Sequence, residues 1–123
     1  MAGLLLLFAL GQARAQPSDP AAQDEIATEI AGPQGPERGK QRRQLWLLPL
    51  RGQSMLMRAT LLRPAGAGPF PLAVINHGSV QNADARAKFR MPQYRVAARW
   101  FLDQGYAVLL PQRPGHGETG GPY

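Results

Sequence analysis

Two short, unbroken apolar runs flank one helical stripe in this chain, and that arrangement constrains the fold more than any other feature. Leu72-Ala73-Val74-Ile75 lies within a segment from Phe70 to Asn76, and Tyr106-Ala107-Val108-Leu109-Leu110-Pro111 follows further on. Each run is apolar at consecutive positions instead of alternating, the pattern of a strand covered on both faces. The first is therefore expected to be a central strand. Between the runs, Tyr94, Ala97, Ala98, Phe101 and Leu102 recur at i, i+3, i+4, i+7 and i+8, one face of an α-helix. Pro92 suits a first helical turn and Gly105 a helix stop. Strand, helix, strand makes a βαβ unit, with a parallel pair and a right-handed crossover.

Upstream, Leu45 to Leu50 and Ser54 to Arg63 read as two strands joined by a turn at Arg51-Gly52-Gln53, with Pro64 to Pro69 ending the second. Their spacing suggests an antiparallel pair. The expected fold class is α/β: a mixed sheet in which an antiparallel pair feeds a parallel unit. The helix covers one sheet face, yet a parallel sheet normally needs helices on both. Residues 44–123 are thus expected to be an incomplete domain, the amino-terminal part of a larger α/β protein. That piece alone should aggregate or behave as a molten state.

The chain begins differently. Leu4 to Leu10 is an apolar run followed by Ala13-Arg14-Ala15, which reads as a signal peptide over residues 1–15 with cleavage after Ala15. The run is too short to span a bilayer, so no stable membrane span is expected, and the reading implies a periplasmic or secreted protein. Residues 16–43 read as a disordered linker: Gln16 to Glu37 carries Asp19, Asp24, Glu25, Glu29 and Glu37, no basic residue, and four prolines. The absence of cysteine removes disulfides, thiolate metal sites and thiol nucleophiles. From Arg38 onward thirteen basic residues face only Asp84, Asp103 and Glu118, so the folded part is strongly basic, more so than the whole chain with its net charge of +6.

Ligands of open α/β sheets gather beyond the carboxyl ends of parallel strands, where two loops sit. One is Asn76-His77-Gly78-Ser79-Val80, and the other is Gln112-Arg113-Pro114-Gly115-His116-Gly117-Glu118-Thr119. A strand running into His-Gly can turn sharply and present the next amide to an oxyanion. With Pro71 to Gly78, the helix end Phe101 to Tyr106, and Val108 to Pro111 running into Arg113-Pro114-Gly115-His116-Gly117, residues 44–123 resemble the α/β-hydrolase family. The likeness is narrower to its dienelactone-hydrolase-like and dipeptidyl-peptidase-like esterase branches. The resemblance implies a serine hydrolase acting on an ester, lactone or short amide through an acyl-enzyme, without a cofactor. It implies that the backbone N–H of Ser79 forms half of an oxyanion hole, with His77 and Gly78 shaping the loop. Arg113, Gly115, His116 and Gly117 would form a supporting turn. Relatives often carry Asp where Gln112 stands.

The nucleophile motif G-x-S-x-G is absent, and His77 and His116 come too early for a triad base. No catalytic triad residue is expected in this chain, which alone should be inactive. His77 is read as a loop holder, and Ser79 as an amide donor and not a nucleophile. The two histidines lack a third metal ligand, so no metal site is expected. Arg113 either binds a substrate carboxylate or pairs with a structural acid. Two other classes stay open: a non-catalytic envelope or interaction module, and a basic nucleic-acid binder. The dispersal of the arginines and the export signal argue against nucleic acid as a partner. Substrate identity and oligomeric state are not legible here.

Overall fold

The computed structural model describes residues 29–123, so the expected signal peptide and the first part of the expected linker lie outside the described residues. The chain forms strands β1 (Gly32–Arg38), β2 (Arg43–Pro49), β3 (Leu56–Leu62) and β4 (Leu72–Val74), helices α1 (Ala83–Ala87) and α2 (Arg95–Asp103), then β5 (Ala107–Pro111) and a 3-10 turn over Gly117–Thr119. The five strands make one mixed sheet in the order β1-β2-β3-β5-β4. β1, β2, β3 and β5 pair antiparallel in succession, whereas β4 pairs parallel with β5. The expected antiparallel pair and parallel strand-helix-strand unit are both present.

Three details differ from expectation. The linker expected over 16–43 gives way to a strand at β1, although Gly32-Pro33-Gln34-Gly35-Pro36 has poor strand propensity. Edge position permits the prolines, and tertiary contacts supply what propensity does not. Gln44 Nε2 donates to the Gly35 carbonyl at 2.7 Å. Glu37 accepts from Arg42 Nε at 2.6 Å and also from Arg63, strapping β1 to the β2–β3 pair. The Arg42 hydrogen bond holds the Glu37 carboxyl below its ordinary range, with the charges of Arg42 and Arg63 adding to it.

The second difference is the rank of β4. Among the described residues it is an edge strand, and β5, between β3 and β4, is interior. Leu72 and Val74 are 54% and 50% exposed while Ala73 between them is buried. An unbroken apolar run signals cover for both faces but does not say which edges are paired. The third concerns the helix stripe. Ala98 and Leu102 are buried against Leu62, Val108 and Leu110, with Phe101 and Ile75 packed beside them. Tyr94, however, is 44% exposed because it precedes α2 in a left-handed conformation (φ 37, ψ 49) that takes it off the helical spacing. Ala97 is exposed as well, and Pro92 lies before the helix instead of in its first turn. Gly105 ends the helix as expected, with φ +85. No helix among the described residues is long and apolar enough to cross a membrane.

Candidate functional site

The parallel pair β4–β5 ends in two loops that are built into each other. The ladder continues one bond past β4, with the Ile75 amide donating to the Leu109 carbonyl at 3.0 Å, which places Asn76 and His77 beside the exit of β5. His77 is buried. Its Nε2 accepts the Arg113 amide at 2.9 Å and its Nδ1 lies 2.7 Å from the Gly78 carbonyl. His116, fully buried, answers from the other loop: its Nε2 accepts the Val80 amide at 3.2 Å and its Nδ1 lies 3.0 Å from the Pro114 carbonyl. An imidazole that accepts at Nε2 and faces a carbonyl at Nδ1 is the neutral Nδ1–H tautomer, so both rings are assigned that form. Burial, aided by the nearby His116 and Arg113, pushes the His77 pKa below its ordinary value, against the opposing pull of the Gly78 carbonyl.

The two rings stand 4.9 Å apart at their centroids, and Phe89 packs 4.4 Å from His77 and 5.5 Å from His116. Between the pinned positions 77 and 80, Ser79 is exposed. Its amide donates to no acceptor among the described residues. Its hydroxyl meets the Tyr123 hydroxyl, which also accepts from Gln81 Nε2 at 2.9 Å. The Arg86 guanidinium lies 3.9 Å over the Tyr123 ring, a cation–π contact. The Ser79 hydrogen bond, followed by Gln81 and the charges of Arg86 and Arg113, draws the Tyr123 hydroxyl below its usual pKa.

Gly78 does not take a left-handed φ, and a Cβ placed there would meet nothing within 4 Å. Its smallness leaves open space beside the Ser79 amide. The supporting turn is different. Gly115 (φ +74) would bring a Cβ to 2.8 Å from Tyr123 Cβ. Gly117 (φ +47) would drive one into the Phe89 carbonyl oxygen and to 2.5 Å from Gln112 Nε2. Both glycines are required by backbone conformation and by space.

Sequence reasoning missed how much Gln112 and Thr119 hold. Gln112 is fully buried, its Nε2 donating to the Phe89 carbonyl at 3.1 Å and its Oε1 accepting the Thr119 amide at 2.9 Å. Thr119 Oγ1 donates to the Gln112 carbonyl at 2.8 Å and accepts the Arg58 amide at 3.1 Å. A carboxylate at 112 could accept from Thr119 but could not donate to Phe89, which gives the Gln its reason. One signal was available: an uncharged polar residue directly after an interior apolar strand must find partners for every polar atom. Phe89, Tyr123 and Arg86 carried no comparable signal. Arg113 contributes its amide to the site, and its side chain pairs with no carboxylate among the described residues.

Chemically, Ser79 has no base among the described residues. Both imidazole Nε2 lone pairs are committed to backbone amides, and neither can take the hydroxyl proton without breaking its bond. No group of three or more His, Asp or Glu side chains gathers among the described residues in a way that could hold a metal ion. A groove of about 710 Å³ lies elsewhere, between α2 and the β2–β3 pair, lined by Arg43, Leu62, Arg95, Ala98 and Arg99 among others. Concavity and the hydrogen-bonded loops therefore point to different places. The loops are the better candidate, because they combine buried, fully specified hydrogen bonding with a donor unengaged among the described residues. Comparison with known proteins found no matching family model, no matching curated protein and no matching solved structure.

Proposed function

We propose that the Ser79 amide is half of an oxyanion hole in a serine hydrolase of the α/β-hydrolase kind, acting on an ester, lactone or short amide. The observation that carries this reading is an exposed, unengaged amide at the carboxyl end of β4, on a loop fixed at both ends by buried imidazoles. A preorganised donor of this sort stabilises charge that develops on a carbonyl oxygen during attack, and removing one costs roughly 100- to 1000-fold in rate. Open space beside Gly78 gives a substrate oxygen room to approach. The nucleophile, its base and the second donor would come from outside these 123 residues. The apolar run before Ala15, taken as an export signal, would place the reaction in the periplasm or outside the cell.

The test is labelling of the natural gene product by a fluorophosphonate, with two substitutions at one position. Ser79→Ala keeps the N–H and removes the hydroxyl, so it should label at close to the parent rate. Ser79→Pro removes the N–H and should label at least about 100-fold more slowly, with an unchanged far-ultraviolet circular dichroism spectrum. Loss of labelling in Ser79→Ala would make the hydroxyl itself the nucleophile, and a parent protein inert to the probe would end the hydrolase reading.

A further inference from the structure

We propose that His77 and His116 are positioning residues forming a proton-sensitive latch: with both rings neutral they hold the loop that presents the Ser79 amide, and protonation of either releases it. For its effect on activity this rests on the reading of Ser79 given above. The latch itself rests on geometry. The loop after β4 lends an imidazole to the amide of Arg113, and the loop after β5 lends one to the amide of Val80. The bonds are reciprocal, and Ser79 lies between their two attachment points on the first loop.

Protonation adds an N–H at Nε2, so an acceptor becomes a donor facing another donor. Both rings are buried, His77 to 4% exposure and His116 to 0%. No carboxylate contacts either ring among the described residues. The charged and titratable groups on the elements packed around the pair are mostly of the wrong kind to welcome a second cation. Arg113 follows β5, Arg86 of α1 lies over Tyr123, and the Tyr123 ring is 5.7 Å from that of His116. On the 3-10 turn, the Glu118 carboxylate is directed at Arg58 Nε, 3.2 Å away, and the Asp84 carboxylate of α1 is in none of the ion pairs among the described residues. A buried imidazolium with no counter-ion and a donor aimed at it has every reason to leave, and its loop leaves with it. The lowered proton affinity of His77 agrees with that direction.

Hydrogen exchange and imidazole ¹⁵N spectra of the natural gene product, read together against pH, test the latch. Across the range in which the ring nitrogens titrate, the Val80 and Arg113 amides should lose at least about tenfold in protection factor, while Val108 and Leu110 of β5 keep theirs. Fluorophosphonate labelling should slow with the same midpoint. His77→Gln and His116→Gln each supply an acceptor oxygen that does not titrate, so each should remove the step at its own amide partner. Protonated rings with Val80 and Arg113 still protected overturn the proposal, as do rings that take up protons only when β5 exchanges too. An intact exchange step in a protein that never labels supports the latch and overturns the hydrolase reading.

Discussion

Two glycines two residues apart in the motif after β5 differ in kind from the glycine after β4, and the difference is measurable. Gly117 sits at φ +47 with a carbonyl where its Cβ would be. Gly117→Ala should cost about 2 kcal/mol or more, from the left-handed backbone penalty plus the displacement of Phe89, and equilibrium urea unfolding of the gene product reads it directly. Gly78→Ala has neither problem and should stay within about 0.5 kcal/mol of the parent. It should still slow fluorophosphonate labelling, because the methyl group enters the space beside the Ser79 amide. Equal destabilisation by both would contradict this account of the two loops. At this scale the sequence was partly legible. His-Gly after an apolar strand marked the loop, and two glycines around His116 marked the turn. The reciprocal bonding of the histidines could not be read, since it depends on β4 and β5 being neighbours in the sheet, which no single residue encodes. Gln112 was noticed only as a departure from Asp, whereas its two amide bonds make it a fixed part of the turn.

Among the elements, β1 is the least legible and β5 the most. Five apolar residues in a row fix β5 as a buried strand from sequence alone, and it is buried at Ala107, Val108, Leu110 and Pro111. β1 is held by Glu37 between Arg42 and Arg63 and by the Gln44 side chain, contacts made across the turn from β2 and from the end of β3. Acidic and proline-rich composition told against a strand because composition cannot count tertiary partners. The rank of β4 failed for a related reason: periodicity reports faces, not edges. The ion-paired strap and the buried His77 set an acid limb to stability, and its sign can be worked out. Both groups have folded pKa values below their ordinary ones, 4.5 for a glutamate and 6.5 for a histidine. Above 6.5 neither state binds the histidine proton and its contribution is complete. As pH falls below that, the unfolded chain takes up the proton first, so stability declines until the folded pKa is passed. Glu37 repeats the decline below 4.5. Denaturation midpoints should fall in two stages on acidification, and His77→Gln should flatten the upper stage alone. A midpoint that rises on acidification through that range would reverse the assignment.

For the whole molecule, the sheet as described leaves an open edge and exposed apolar side chains. β4 presents an outer edge with no partner among the described residues, carrying Leu72 at 54% and Val74 at 50% exposure, and Val96 and Trp100 of α2 are exposed at 87% and 58%. Such an edge is a template for strand addition, and lysines blunt it. A polypeptide limited to these 123 residues should self-associate in sedimentation velocity. Leu72→Lys combined with Val74→Lys should shift it toward monomer, whereas an unchanged distribution would place the sticky surface elsewhere. The α/β class and the mixed sheet were legible at this scale because apolar runs closed by Gly and Pro turns, a period-3.6 stripe and unbroken runs each name their element. The site was legible only as two loops at one end of a parallel pair. The central claim is that the Ser79 amide receives developing negative charge, and one crystal structure of the gene product after reaction with a fluorophosphonate tests it most directly. The phosphonyl oxygen should lie about 2.7–3.1 Å from the Ser79 nitrogen; a phosphonyl group bound with that amide untouched would contradict the account.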